Sequence, residues 1–164
     1  MFSPRLVPAV VLLASGAVVG SALLFQYVGG LVPCELCLYE RWPYYAALVL
    51  AVIVLAIGRR TASMALLWLC VVLFLGGAVL GLYHVGIEQH LITGPTACSG
   101  EIPKGLSPAD LAARLMAREP VLCDDIQWSL FGISLAGFNF LASLGIAIMS
   151  ILALLYFSRR RSFA

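Results

Sequence analysis

Four long apolar runs constrain the fold of this chain more than any other feature of its sequence. Residues 6–28 and 62–83 are each long enough to cross a bilayer as a helix, which takes about 17–25 residues. Residues 42–58 lie at the lower limit of that range. The last run exceeds one span, and glycines near its start indicate that its helix covers residues 137–157. The sequence therefore predicts an all-α membrane protein, a four-helix transmembrane bundle in a single domain over residues 1–164.

The overall composition agrees with a chain whose surroundings are mostly lipid. Hydrophobic residues make up 62% and charged residues 11% of the sequence, whereas a soluble domain averages about 45–50% and about 25%. The first apolar run is longer than the roughly 7–15 residues of a signal peptide and lacks a small-residue cleavage site, so we interpret it as a span. A net charge of +2, without a basic cluster that alternates with aromatics, argues against nucleic acid as a partner.

The positions of the basic residues predict how the bundle is oriented. Four spans leave both termini on one side of the membrane, and this side carries six arginines: Arg5, Arg59, Arg60, Arg159, Arg160 and Arg161. The opposite side consists of loops 29–41 and 84–128, which hold all eight acidic residues. Because positive charge near span ends favours the cytoplasm, we expect cytoplasmic termini and outward-facing loops. Ser107 to Asp110 predict the start of a short amphipathic helix in the second loop, lying on the bilayer surface or packed against the loop.

Four of the five cysteines lie in the outward-facing loops, two in each. Cys34 and Cys37 form a Cys-x-x-Cys pair in the first loop, Cys98 and Cys123 lie in the second, and Cys70 lies within a span. Disulfides form and persist outside the cytoplasm, so the four cysteines could be structural disulfides, a zinc site or a thiol–disulfide exchange centre. The 25-residue separation of Cys98 and Cys123 provides no second zinc knuckle, and we predict no metal.

The local chemistry of the first cysteine pair favours exchange. A Cys-x-x-Cys disulfide closes a very small loop and is a poor staple, but one of its thiols can readily resolve a mixed disulfide of the other. Pro33 precedes the pair, so Cys34 and Cys37 are expected to open the second helix, whose dipole favours a thiolate. Arg41 follows Cys37 by four residues and is expected to stabilise that thiolate from the same helical face, or else to anchor the helix at the interface.

Repeated exchange requires an electron acceptor. The sequence has neither a Gly-x-Gly-x-x-Gly fingerprint nor a Cys-x-x-Cys-His haem motif. A quinone dissolved in the bilayer would fit, because it could reach Cys37 from the apolar side. His84, at the outer end of the third predicted span, is a candidate to hydrogen-bond a quinone oxygen, although an ordinary interfacial histidine is the alternative.

Three motifs resemble the DsbB family, the disulfide bond formation protein B family. They are CELCLYERW at 34–42, PTAC at 95–98 and CDDIQW at 123–128, and the resemblance covers nearly the whole chain. It implies a multi-pass protein of the bacterial inner membrane with its cysteines in the periplasm. It further implies ubiquinone or menaquinone as acceptor, with the membrane quinone pool as its source, and a periplasmic DsbA-type thiol oxidase as partner.

The resemblance also implies a role for each cysteine of the two loops. The Cys98–Cys123 disulfide would oxidise the DsbA-type partner, with Cys98 forming the mixed disulfide. The Cys34–Cys37 pair would reoxidise that disulfide. Cys37 would then be the thiolate that faces the quinone.

Three further residues are implied to bind the quinone. Arg41 would hold both the ring and the Cys37 thiolate, and His84 matches a family position near the ring. Leu135 stands where the best-known relative has a methionine near the quinone. The predicted function is therefore a thiol:quinone oxidoreductase that generates disulfides. The alternatives are an enzyme like vitamin K epoxide reductase, in which we expect the Cys-x-x-Cys motif late in the chain, and a non-enzymatic membrane protein with disulfide-stapled loops.

Overall fold

The computed structural model describes residues 5–94, 107, 109 and 122–161. The elements in chain order are α1 (Leu6–Tyr27), α2 (Glu35–Tyr39), α3 (Trp42–Ile57), α4 (Arg60–Glu88), β1 (Ser129–Leu130), β2 (Ile133–Ser134) and α5 (Leu135–Arg161). Cys98 lies outside the described residues, as does nearly all of the amphipathic helix predicted to start at Ser107.

Four helical stretches of the described chain are long and apolar enough to cross a membrane: Leu6–Tyr27, Glu35–Ile57, Arg60–Glu88 and Leu135–Arg159. They confirm the predicted all-α, four-helix membrane fold. The second stretch consists of α2 and α3 together, which meet at Arg41. Pro43 lies in the first turn of α3, where its missing N–H costs no intrahelical hydrogen bond. Gly58 ends α3 with a left-handed φ of 63°, which lets the chain enter α4 two residues later.

The third helix is longer than predicted, because α4 continues to Glu88 instead of ending at residue 83. The extra turn carries His84 and Glu88, which are polar and therefore looked like the start of a loop. Both side chains are buried, at 2% and 9% exposure, and both have hydrogen-bond partners inside the bundle. Polar residues that are satisfied internally do not end a helix.

A short β-hairpin precedes the last helix. Ser129 pairs with Ser134 and Leu130 with Ile133. The two turn residues, Phe131 and Gly132, both have positive φ, as a type I′ turn requires. The helix α5 then begins at residue 135, two residues before the predicted start at 137.

The bundle packs most extensively between α4 and α5, where small residues let the backbones approach closely. A Cβ on Gly81 would come within 3.1 Å of the Phe140 backbone. Further into the bundle, the Tyr44 ring meets the Phe74 ring at a centroid distance of 5.0 Å, and the Tyr44 hydroxyl lies 2.7 Å from Ser143 Oγ. These contacts fix α4 and α5 against α3, at whose start the candidate site lies.

Candidate functional site

The Cys-x-x-Cys pair opens α2 as the sequence predicts. Cys34 is the N-cap of this helix, and its sulfur accepts a hydrogen bond from the Cys37 backbone N–H at 3.4 Å. The Cys34 thiol donates to Cys37 Sγ, and the two sulfurs are 3.1 Å apart. A disulfide bond is about 2.05 Å long, so oxidation of the pair would require only a small approach of the two sulfurs.

The hydrogen bond to Cys37 is the main reason why the pKa of the Cys34 thiol is raised, from its usual 9.0 to about 12. Burial acts in the same direction, because a thiolate loses its hydration in apolar surroundings. Cys34 therefore carries the proton when the pair is reduced.

His84 lies on the other side of Cys34 and connects it to a buried carboxylate. His84 Nε2 is 3.6 Å from Cys34 Sγ, and His84 Nδ1 is 2.8 Å from Glu40 Oε1. Both ring nitrogens of His84 thus have protein partners, and its expected hydrogen bond to a quinone oxygen stays a prediction. Glu40 was assigned to loop 29–41 and was not among the predicted site residues. The structure places it inside the spanning stretch Glu35–Ile57, where acidic residues usually have a buried partner.

Cys123 of the second loop lies beside this group. Its sulfur, Cys34 Sγ and a His84 ring nitrogen are all within 4.8 Å of one another, and all three residues are buried. Gln127, four residues later, holds the two segments together. Its side-chain amide donates to the Val32 carbonyl at 2.7 Å and accepts from the Val32 N–H at 3.2 Å.

A cavity of about 400 Å³ adjoins the cysteine pair. The predicted site residues of the described chain that line it are Cys34, Cys37, Arg41, His84 and Leu135. Aromatic side chains form part of its wall, with the Trp128 ring between Phe25 and Phe138 at centroid distances of 4.8 and 6.1 Å. Such a mixture of apolar walls and a few polar groups is typical of a small-molecule site.

Arg41 is held at this cavity by a residue that sequence analysis missed. Its Nη1 donates to Gln26 Oε1 at 2.6 Å, and Gln26 lines the same cavity from α1. Gln26 is a polar residue near the end of an otherwise apolar span, which was the signal for it. Cys70 lies elsewhere, buried in the apolar core among α1, α3 and α4, as expected of an inert thiol.

The fold and the site together define a helical membrane protein with a partly buried dithiol beside a cavity at the ends of its helices. Comparison with known sequences gives the family: the chain matches disulfide bond formation protein DsbB over residues 4–153. The protein therefore belongs to the DsbB family, a family of disulfide-forming membrane proteins.

Individual relatives agree with this assignment. Disulfide bond formation protein B of Actinobacillus pleuropneumoniae is 32% identical over 145 residues, which are 85% of this chain and 79% of the relative. The protein of the same name from Polaromonas is 29% identical over 163 residues, covering 96% and 95% of the two chains. An uncharacterized protein of Rickettsia prowazekii, RP370, is 28% identical over 138 residues, covering 83% and 79%.

Proposed function

We propose that this protein is a thiol:quinone oxidoreductase of the bacterial inner membrane that reoxidises a periplasmic DsbA-type thiol oxidase and so generates disulfides. The observation that carries the proposal is the placement of three cysteines and an arginine around one site. Cys123 lies within 4.8 Å of Cys34, Cys34 contacts Cys37, and Cys37 shares a cavity with Arg41.

The cycle begins at the second-loop disulfide. A thiolate of the reduced partner attacks Cys98 and displaces Cys123, and the second thiol of the partner resolves this mixed disulfide. The partner leaves oxidised, and Cys98 and Cys123 are reduced. Cys123 then attacks Cys34 of the Cys34–Cys37 disulfide, for which the sulfur separation of at most 4.8 Å is favourable. Cys98 resolves the resulting bond and restores the second-loop disulfide.

The reduced Cys34–Cys37 pair must next be oxidised, and the cavity supports a quinone for this step. A bound quinone supplies an acceptor for two electrons and two protons, which is what closing a disulfide from two thiols releases. The residues present fit such a ring: Trp128 and Leu135 offer apolar surface, and the Arg41 guanidinium provides planar N–H donors for carbonyl oxygens. Cys37 and Cys34 both line this cavity, and Cys34 also lies beside Cys123 and His84.

The proposed orientation follows from the charge distribution. Six arginines near the span ends and the termini would lie in the cytoplasm, and Cys34, Cys37 and Cys123 would lie at the periplasmic ends of the helices. An impermeant thiol reagent should label reduced Cys98 from outside intact spheroplasts. Labelling only after the membrane has been permeabilised would show that the orientation is the opposite of the proposed one.

A zinc site is a second candidate, because two thiols and an imidazole within 4.8 Å form a plausible donor set. The two candidates differ in metal content. We expect the purified protein to hold substoichiometric zinc and its turnover to be unchanged by a chelator. Stoichiometric zinc, with turnover or folding lost on chelation, would favour the metal site.

The decisive experiment follows quinone consumption. Purified protein is mixed with a reduced DsbA-type protein and a soluble ubiquinone analogue, and quinone loss is measured by absorbance. Turnover should disappear in the four single substitutions Cys34→Ala, Cys37→Ala, Cys98→Ala and Cys123→Ala. The matched control Cys70→Ala should turn over normally, because this thiol lies in the apolar core. Normal turnover in Cys37→Ala would overturn the proposal, and so would the absence of turnover in the unmodified protein.

A further inference from the structure

Glu40 and His84, which the exchange reactions above do not use, form a continuous hydrogen-bonded row with Cys34. Glu40 Oε1 lies 2.8 Å from His84 Nδ1, and His84 Nε2 lies 3.6 Å from Cys34 Sγ. Glu40 is only 4% exposed and His84 only 2%. A carboxylate and an imidazole this deeply buried are costly unless each satisfies the other, so the row is a built feature of the fold.

The row determines which ring nitrogen of His84 can accept a proton. An ionised carboxylate only accepts hydrogen bonds, so the Nδ1 that faces Glu40 carries the hydrogen. The lone pair of the neutral ring is then on Nε2, the nitrogen that faces Cys34 Sγ.

We propose that His84 is the proton acceptor of Cys34 and that Glu40 is the positioning residue that orients the imidazole. His84 is a catalytic residue in this scheme because it touches a reacting sulfur. Glu40 acts through His84. The inference rests on the proposed function, and it assigns His84 to a thiol instead of to a quinone oxygen.

The proton and the electrons balance in this step. The S–H bond of Cys34 breaks and its proton moves to His84 Nε2, while the Cys34 sulfur forms the S–S bond with the Cys37 thiolate. The two electrons released leave to an acceptor of the quinone class, and the proton follows from His84. In the exchange with the second loop the same proton travels in reverse, since Cys34 is then the leaving group and receives a proton from Nε2.

The state of Cys34 explains why such a base is useful. With a pKa of about 12, very little of this thiol is ionised at neutral pH, and the thiolate is the reactive form. General bases placed within hydrogen-bond reach accelerate proton transfers by about 100- to 10,000-fold.

The test reads the reactivity of Cys34 directly and needs no quinone. In a reduced protein whose other cysteines are replaced by serine, Cys34 is alkylated with iodoacetamide from pH 6 to 10, and the rate is measured by mass spectrometry. The titratable groups that surround His84 and Glu40 in the intact protein are Cys34, Cys37, Tyr44, Glu88 and Cys123. Two of them, Cys37 and Cys123, are serine in this background, so the alkylation profile reports Cys34 through its row with His84 and Glu40.

We expect His84→Gln and the isosteric Glu40→Gln each to lower the alkylation rate at pH 7 by about tenfold or more. The rate of His84→Gln should then rise about tenfold per pH unit, as for a thiol that depends on hydroxide. Two matched controls should behave like the parent: Glu35→Gln removes a charge from the same short helix at an exposed position, and His90→Asn replaces the exposed histidine after α4.

Each outcome decides the proposal. An unchanged rate in His84→Gln overturns it, and an unchanged rate in Glu40→Gln overturns the positioning role. Where His84→Gln does not fold, Glu40→Gln decides alone, because it preserves shape. Quinone turnover of the unmodified protein is measured in parallel. Its absence would defeat the proposed function, whereas normal turnover with normal alkylation in Glu40→Gln would defeat only this inference.

Discussion

Gln26 offers a sharp test of how the cavity is organised, because it orients Arg41 without being charged or redox-active itself. Its carbonyl oxygen accepts from Arg41 Nη1 at 2.6 Å, and the pair is partly buried. In Gln26→Leu the side-chain volume is nearly kept, but the guanidinium loses an acceptor. Its planar fork would then sample several orientations instead of one.

The expected size of the effect follows from that single hydrogen bond. A hydrogen bond to a charged group contributes about 1.5–3 kcal/mol, and partial exposure of the pair places it at the lower end. About 1.4 kcal/mol corresponds to a tenfold change in an equilibrium constant. We therefore expect the KM for a soluble ubiquinone analogue to rise about tenfold in Gln26→Leu.

The assay varies the quinone analogue at a fixed, saturating concentration of reduced DsbA-type partner. The half-reaction with the partner should not change, because in the proposed cycle it takes place at the second-loop cysteines. Gln89→Leu is the matched control, since Gln89 is exposed after the end of α4. A quinone KM within about twofold of the control value, or a loss confined to the partner half-reaction, would refute the role assigned to Gln26.

Three other predictions concern packing, loop contact and pH. Gly81→Val should lower the thermal unfolding midpoint in detergent, because its Cβ would come within 3.1 Å of the α5 backbone and overpacking costs about 1–3 kcal/mol. Gly76→Val is the control, because the space around its Cβ is open. Equal unfolding midpoints for the two variants would contradict the close packing at Gly81. Gln127→Leu should slow electron transfer between the two cysteine pairs in single-turnover gels, and an unaltered rate would mean that the loops stay together without the amide. The hydrogen bond to Cys37 raises the pKa of Cys34 to about 12, so Cys34 stays protonated at neutral pH. The protonated thiol stabilises the folded state, and this contribution is lost as the pH rises from 9.0 towards 12. In Cys37→Ala the alkylation profile of Cys34 should therefore move to lower pH, and an unmoved profile would assign the raised pKa to burial alone.

The four helices could be predicted from the sequence because each apolar run is long enough to span a bilayer. It misplaced the end of α4, since His84 and Glu88 are polar but point into the bundle. Periodicity and hydropathy reflect the polarity of a side chain, but they do not predict which residue will be its hydrogen-bond partner. The partner of His84 is Glu40 and the partner of Glu88 is Ser134, which are 44 and 46 residues away in the chain. Only the packing of the bundle brings each pair together.

The candidate site divides in the same way. The Cys-x-x-Cys spacing and the helix start were visible locally, so Cys34 as N-cap followed from Pro33 and the pair itself. Gln26 and Glu40 could not be assigned, because each acts on a residue of another helix or turn. Neither hydrophobic pattern nor spacing specifies which polar side chain will meet Arg41 or His84.

The contact between Gln127 and Val32 has a consequence for the durability of the site. Both hydrogen bonds join uncharged amides, and the pattern requires one donor and one acceptor on the same side chain, which a carboxylate at neutral pH cannot supply. These two hydrogen bonds between Gln127 and Val32 therefore do not depend on the charge state of the thiols beside them. In the proposed cycle the cysteines would pass repeatedly through oxidised, reduced and ionised forms, while these uncharged amides keep the two segments aligned.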